Sequence, residues 1–171
     1  SKPMIAAVNG PAVGIGVTMI LPFDVIVAAE EAKFGMVFVK MGIVPELASS
    51  HFLVSRMGWG HANEMMLSGR LYLAAEAQEK GLCEYVVPGD KLMDKAFSIA
   101  AQIAENPSRQ LRMTKELLTQ NACTTDLTAA QKRETDALKI CWTTPEHHEA
   151  VDAFLNKRKP DFKKAAKSAA E

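Results

Sequence analysis

A strand-like apolar run leads directly into a glycine-rich turn and a short helix, and this arrangement constrains the fold most. Met4–Val8 is apolar, the predicted strand is Met4–Asn9, and residues 10–16, "GPAVGIG", hold three glycines. The apolar segment Ile15–Leu21 predicts a short helix that Pro22 ends. A second strand rich in Val and Ile is predicted over Asp24–Ala29. Because strands this apolar are normally buried between neighbours, the pattern indicates an α/β fold with a buried sheet.

The chain has two parts of different composition. From residue 1 to 89 strand-like and helix-like segments alternate, whereas from 90 to 171 the pattern is helical. We predict two domains with these bounds, 1–89 and 90–171. The predicted helices are Leu47–Met57, His61–Leu67, Ala74–Lys80, Lys91–Glu105, Pro107–Asn121, Asp126–Cys141 and Pro145–Arg158. A short strand is predicted over Glu84–Val87, and the Ala/Lys-rich tail after Phe162 is expected to fray.

Composition excludes several classes of function. A net charge of zero gives no electrostatic reason to expect binding to nucleic acid or an anionic membrane, and no apolar run has the length of a membrane span. The three cysteines are widely spaced and form no CxxC pair, which is typical of a reduced intracellular protein without disulfides or a zinc site. We therefore expect a cytoplasmic protein. Since a buried-type strand begins at once, we expect sequence before Ser1 to be missing, so mitochondrial or peroxisomal location stays open.

The glycine turn has the layout of an anion site, a strand followed by glycines and a helix start. A phosphate-binding Walker loop is excluded because Gly16 is followed by Val17 and Thr18 rather than by Lys. A dinucleotide fingerprint is excluded because Met19 stands at the third glycine position. Two interpretations remain open: an oxyanion hole formed by backbone amides, or a tight turn whose glycines serve packing alone.

A resemblance carried by longer motifs favours the oxyanion hole over a turn that serves packing alone. The stretch "KPMIAAVNGPAVGIGVTMILPFDVIVAAEEAKFG", followed by "MGIVPE", "EMMLSGRLYLAAEAQEKGLCEYVV" and "FLNKRK", resembles the crotonase, or enoyl-CoA hydratase/isomerase, superfamily. The resemblance implies the C-terminal part of a ββα spiral core, followed by an α-helical region that serves trimerisation and covers acyl-CoA. It also implies a trimer or dimer of trimers acting on acyl-CoA thioesters. Coenzyme A is then part of the substrate, and neither a separate cofactor nor a metal is expected.

The resemblance also assigns residues of the oxyanion hole. The backbone N–H of Ile15 would be one of two donors to the thioester oxygen, and Gly14 and Gly16 on either side of it are candidate substrate-binding residues. The second donor would come from a segment upstream of Ser1. Superfamily hydratases have two catalytic glutamates, and their positions correspond here to Thr18 and Phe38. Neither residue has a carboxyl group, so this chain lacks both acids of the hydratase reaction.

The carboxylate that remains is Glu46, in "GIVPELASS". The pattern resembles the Δ3,Δ2-enoyl-CoA isomerase branch, in which a glutamate at this place moves a proton from C2 to C4 during fatty acid oxidation. One base suffices for both proton transfers if water is kept away from it. We expect Glu46 to lie at the start of the helix Leu47–Met57, with apolar neighbours. Of these neighbours, the candidate acyl-binding residues are Phe38, Met41 and Leu47, and Lys157 is a candidate contact for the 3′-phosphate of coenzyme A.

Other interpretations are weaker or remain as alternatives. Ser49, Ser50 and His51 do not form a hydrolase triad, because adjacent helical residues point in different directions and no G-x-S-x-G elbow exists. His147 and His148 belong to no recognisable metal-binding motif, and we expect them on a solvent-exposed face of their helix. Two alternatives to the isomerase stay open: a non-catalytic binding module, like that of chromodomain Y-like corepressors, and another crotonase-family hydratase, dienoyl-CoA isomerase or lyase.

Overall fold

The computed structural model describes residues 2–168, which form two compact units. The first unit comprises Met4–Ala100 and carries all the strands of the described chain. The second comprises the residues from Ala101 onward together with the start of the chain and is helical. An α/β part followed by helices is the architecture that the sequence pattern predicts.

The strands of the first unit form two three-stranded sheets. In one sheet β1 (Ile5–Val8) and β6 (Tyr85–Val87) both pair in parallel with the central strand β3 (Val25–Ala29). β1 pairs with β3 alone among the described residues and is only half-buried, so the burial between two neighbours predicted for it is not found there. β3, by contrast, is almost fully buried, as its apolar sequence predicts.

The second sheet contains strands too short to be recognised in the sequence. β4 (Lys33–Gly35) is central, pairing in parallel with β2 (Pro11–Val13) and antiparallel with β5 (Leu71–Leu73). β2 lies inside the stretch expected to be only a glycine turn. That expectation is therefore incomplete, because half of the stretch is tied into a sheet.

The helices of the first unit are α1 (Ile15–Thr18), α2 (Ser49–Ser68), α3 (Ala74–Glu79) and α4 (Leu92–Ala104), the last of which runs past the boundary at Ala100. A 3-10 helix over Val37–Met41 precedes α2. The main core contains the apolar side chains that lie between the sheets and α2, with Phe34, Leu53, Met65 and Tyr72 all fully buried.

Two predicted helices are a single kinked helix in the structure. α2 continues through the gap expected between Met57 and His61, with a break in its dihedral angles at Gly58 (φ 73°, ψ 167°). Its start is also displaced, since Leu47 and Ala48 have φ of 52° and 55° and cannot belong to a right-handed helix. The prediction that the helix begins at Leu47 is therefore wrong.

The second unit contains α5 (Ser108–Asn121), α6 (Leu127–Trp142), α7 (Pro145–Leu155) and α8 (Phe162–Ser168). Thr144 caps α7 by accepting from the N–H of His147, and proline occupies the first turn, as the sequence indicates. The fraying predicted after Phe162 is wrong for the residues described, because the Asp161 carboxylate accepts from the N–H of Lys164 and starts a helix. No described helix is long and apolar enough to cross a membrane.

Candidate active site

The glycine turn is held by hydrogen bonds at Gly14. Its N–H donates to the carbonyl of Gly35 in β4 at 2.8 Å, and its carbonyl accepts from Val17 and Thr18 at 2.9 and 3.1 Å. Gly14 has φ 57° and ψ −118°, a conformation in which a side chain would be strained. The turn between β2 and α1 is thus fixed by its own backbone and by the neighbouring strand.

This arrangement leaves two consecutive amides without partners. The N–H groups of Ile15 and Gly16, at the start of α1, donate to no acceptor among residues 2–168. The Ile15 side chain is 56% exposed, so its backbone lies near the surface. Unpaired amides at a helix start can donate to a negatively charged oxygen. The Ile15 N–H is therefore free of an acceptor in the described chain, and its role as an oxyanion donor stays a prediction.

The two positions that correspond to the hydratase glutamates hold no acid. Thr18 is buried, and its hydroxyl donates to the Ile15 carbonyl at 3.2 Å. Phe38 lies on the 3-10 helix and is 8% exposed. Its Cζ is 4.0 Å from the point where a Cβ on Gly14 would be, so the ring lies against the glycine turn. The structure thus brings Gly14 and Phe38 together.

Glu46 lies in the connection between the 3-10 helix and α2. The connection starts where the N–H of Ile43 donates to the Phe38 carbonyl at 3.1 Å, and it ends where the Glu46 carbonyl accepts from the N–H of Ser49 at 2.9 Å. The left-handed pair Leu47 and Ala48 then turns the chain into α2. Glu46 is consequently held within a short segment fixed at both ends.

The apolar residues near Glu46 do not cover it in the described chain. Glu46 is exposed, and the exposed apolar side chains of the same segment are Met41, Ile43, Val44 and Leu47. The shielding from water that the sequence analysis expects is therefore not supplied by these residues. They are apolar side chains exposed in the same segment as an exposed carboxylate.

Two residues that position the turn and the connection have no recognisable sequence signal. Gly35 accepts the Gly14 hydrogen bond, and a Cβ on Gly35 would lie 2.4 Å from a methyl group of Leu71. Ser49, the first residue of α2, is 1% exposed, and its hydroxyl has no hydrogen-bond partner among the described residues. Both positions depend on packing between segments that are far apart in sequence.

A polar network holds α2 to the first sheet. The Arg56 guanidinium donates to the carbonyls of Leu21 and Phe23 and to the Glu84 carboxylate, and that carboxylate accepts from the N–H of Ile26 at 2.6 Å. Leu21 and Phe23 follow α1 directly along the chain. Arg56 therefore fixes the far end of the segment that begins with the glycine turn.

A second network lies at the other end of α2. The Arg70 guanidinium packs 3.9 Å from the ring centroid of the buried Tyr72 and pairs with Glu64 and Glu76. Hydrogen bonds from Arg70 lower the pKa of both carboxyl groups, and burial raises the pKa of Tyr72. These charges are paired with each other, which indicates a structural role.

Lys157 belongs to the helical unit, apart from the other candidate residues. It is exposed, follows α7 in a left-handed conformation (φ 51°), and precedes Arg158, which pairs with Glu149 and Asp152. The hydrogen bond from Arg158, assisted by the N–H of Asp161, lowers the pKa of Glu149 to about 2. The turn that carries Lys157 is thus held by charged side chains.

Known proteins are similar to this chain in sequence and in fold. Residues 1–165 match the sequence profile of the family described as enoyl-CoA hydratase/isomerase. The chain is 37% identical over 163 residues to the 2,3-dehydroadipyl-CoA hydratase of Escherichia coli and 35% identical over 161 residues to its 1,2-epoxyphenylacetyl-CoA isomerase. These matches cover 95% and 94% of the chain and 64% and 61% of the relatives.

A solved structure gives the same result for the fold. The enoyl-CoA hydratase from Bacillus anthracis superposes with a TM-score of 0.89 at 36% identity, over 94% of this chain and 62% of that one. The chain therefore spans about three fifths of the length of the proteins it matches. The crotonase-like fold class expected from the motifs is confirmed. By sequence along nearly its whole length and by structure, the chain belongs to the enoyl-CoA hydratase/isomerase family.

Proposed function

We propose that the protein containing this chain is an isomerase that converts 3-enoyl-CoA to trans-2-enoyl-CoA. The observation that carries the proposal is the composition of the site around the glycine turn. Unpaired amides lie at Ile15 and Gly16, a phenyl ring and an internally bonded hydroxyl occupy the Phe38 and Thr18 positions, and Glu46 follows in the same unit. Such a site has a donor for an oxyanion and one carboxylate to move a proton.

In the proposed reaction, the Glu46 carboxylate removes a proton from C2 of the substrate. The C2–H bonding electrons form a C1–C2 double bond, and the negative charge moves to the thioester oxygen. The resulting dienolate is stabilised by the Ile15 N–H and by a second donor outside the described residues. Glu46 then returns the proton to C4, where the electrons of the C3–C4 double bond form the new C–H bond. The C1–C2 double bond shifts to C2–C3, and the negative oxygen restores the thioester carbonyl.

Hydration would require different chemistry. Addition of water to a 2-enoyl-CoA needs a group that activates the water and a group that protonates C2, and in the family this is the work of two glutamates. Thr18 and Phe38 at those positions do neither. Relatives of similar identity are named as hydratases and as an isomerase, so family membership alone does not choose between the reactions, and the proposal depends on the residues of the site.

We also propose that the helical region binds coenzyme A and joins subunits. Lys157 is an exposed cation and suits the 3′-phosphate. Exposed apolar side chains on α6 and α7 (Leu138, Ile140, Val151, Phe154 and Leu155) support an interface in a trimer or a dimer of trimers. Analytical ultracentrifugation of the full-length protein measures that assembly directly.

A turnover assay tests the proposed function. The full-length protein is supplied separately with 3-hexenoyl-CoA and with trans-2-hexenoyl-CoA, and products are separated by chromatography. We expect conversion of the first substrate to trans-2-hexenoyl-CoA and little hydration of the second. Rapid hydration without isomerisation would establish the hydratase alternative, and tight binding of both esters without turnover would establish the binding module.

A further inference from the structure

The side chain and the backbone of Phe38 contact the two parts of the candidate site. Its ring lies against the glycine turn, with Cζ 4.0 Å from the position of a Cβ on Gly14. Gly14 directly precedes Ile15, whose N–H is unpaired. The ring is therefore packed next to the residue that sets the direction of the Ile15 amide.

The backbone of Phe38 holds the other part. Its carbonyl accepts from the N–H of Ile43 at 3.1 Å, and this bond closes the end of the 3-10 helix. Gly42 makes the reversal possible by adopting φ 70°, in the left-handed region. Only Val44 and Pro45 separate Ile43 from Glu46. The position of Phe38 therefore determines where the Glu46 segment begins.

Phe38 also differs from its neighbours in burial. The exposed apolar residues Val39 and Met41 share its 3-10 helix, whereas Phe38 is 8% exposed and belongs to the main core. A buried phenyl ring fills its space densely and leaves no room for water. The Phe38 ring therefore fills the volume beside the glycine turn, whereas Glu46 itself is exposed.

We propose that Phe38 is a positioning residue that sets Glu46 relative to the Ile15 amide. The inference rests on the proposed function, since it concerns the transfer of one proton between two carbons. A proton held by a carboxylate exchanges with water when water reaches it. Because Glu46 is exposed, the same proton reaches C4 only when transfer is faster than this exchange, and transfer is fast only while Glu46 and the oxyanion amide keep their relative positions.

Isotope transfer tests this role. The full-length protein converts 3-hexenoyl-CoA deuterated at C2 in ordinary water, and mass spectrometry measures the deuterium that arrives at C4 of the product. We expect measurable transfer with the parent protein, less with Phe38→Leu, and almost none with Phe38→Ala. Because a displacement of about 1 Å can cost on the order of 100-fold in rate, kcat of Phe38→Ala should fall roughly 10- to 100-fold with little change in KM.

A matched variant separates positioning from loss of stability. Leu82 is fully buried in the same core, but it follows α3 in the chain and belongs neither to the glycine turn nor to the Glu46 segment. Leu82→Ala should lower thermal stability yet leave the deuterium transfer of the folded enzyme unchanged. Equal transfer in Phe38→Ala and the parent would overturn the role of Phe38. Absence of any isomerisation by the parent would instead overturn the proposed function, and this inference with it.

Discussion

Gly14 donates its backbone N–H to the carbonyl of Gly35 at 2.8 Å, and this bond joins the glycine turn to the central strand of the second sheet. Because the amide of Gly14 is used in this way, it is unavailable to a ligand. The next amide along the chain, that of Ile15, has no such partner. Gly14 and Ile15 are consecutive residues, yet the amide of Gly14 stabilises the turn whereas that of Ile15 is a candidate donor to a ligand.

Removing the Ile15 donor should be far more harmful than changing its side chain. We expect Ile15→Pro to lower kcat about 100- to 1000-fold, the usual loss of one oxyanion-hole donor. Proline is tolerated at the first position of a helix, which makes the substitution compatible with α1. Ile15→Leu keeps the amide and is the control. Steady-state kinetics with 3-hexenoyl-CoA measure both, and equal, small effects would remove the amide from the mechanism.

Replacing Glu46 by glutamine should abolish isomerisation while acyl-CoA binding survives. The amide keeps the size of the side chain but cannot carry the proton. General acid–base groups contribute roughly 100- to 10,000-fold, and Glu46 would serve both proton transfers, so the loss should lie near the upper end. Glu79→Gln, at an exposed carboxylate ending α3, is the control. Turnover assays and calorimetric titration with a saturated acyl-CoA measure the two properties, and retained turnover would place the base elsewhere.

The sequence predicts the parts of the fold that are locally determined. β1 and β3 are recognisable because their apolar residues are consecutive, and α7 is recognisable from its Thr-Pro start. β2, β4 and β5 are each three residues long, and β2 contains a proline and β4 a glycine. Their pairing comes from contacts distant in sequence, which no local pattern contains.

The same distinction applies to the candidate site. The Ile15 amide can be predicted from the motif, because the first amides of a helix have no partner within that helix. The exposure of Glu46 does not follow from its apolar neighbours, since a side chain's burial depends on what packs over it rather than on the residues beside it. The start of α2 at Ser49 likewise depends on the left-handed backbone of Leu47 and Ala48, which alanine and leucine rarely adopt.

Two glycines of α2 should respond oppositely to alanine. Neither Gly58 nor Gly60 has a heavy atom within 4 Å of an added Cβ, but Gly58 has φ 73° and Gly60 is helical. We expect Gly60→Ala to raise the free energy of unfolding by about 1 kcal/mol. Gly58→Ala should lower it by about 1–3 kcal/mol because alanine is strained there. Urea unfolding followed by circular dichroism compares them, and stabilisation by both would show that α2 straightens readily.

Low pH should lower the stability of the fold, in part because it protonates Glu149. Its pKa is lowered to about 2 in the fold, from 4.5, by hydrogen bonds from Arg158 and from the N–H of Asp161. A lowered carboxyl pKa stabilises the fold above the unfolded value, so this contribution is complete above pH 4.5 and disappears as pH falls toward 2. Glu149→Gln should therefore destabilise at pH 7 and reduce the slope of stability between pH 4.5 and 2.

The matched control for that experiment is Glu134→Gln, at an exposed carboxylate on α6. Thermal melts at a series of pH values measure the stability of both variants. We expect Glu134→Gln to follow the parent profile. A parent-like profile for Glu149→Gln would mean that the ion pair with Arg158 contributes nothing in solution.

The three cysteines should react with thiol reagents in a fixed order. Cys83 is 2% exposed, and burial raises the pKa of its thiol to about 12. A reagent therefore cannot reach the sulfur, and the reactive thiolate does not form at neutral pH. Cys123 is exposed and Cys141 is intermediate. We expect iodoacetamide to modify Cys123 first and Cys83 only on unfolding, as measured by peptide mass spectrometry. Early modification of Cys83 would mean that its part of the core opens readily.

The bonds of β3 have a consequence for synthesis on the ribosome. Ile26 finds a partner in Glu84, 58 residues later, and β6 follows at once. At about 5–20 residues per second, one edge of β3 waits roughly 3–12 s before its partner has even been made. During that interval an apolar, β-branched strand has a bare row of backbone donors and acceptors. During synthesis the segment "VIVAA" is therefore open to pairing with a wrong strand until residues 84–87 have been made.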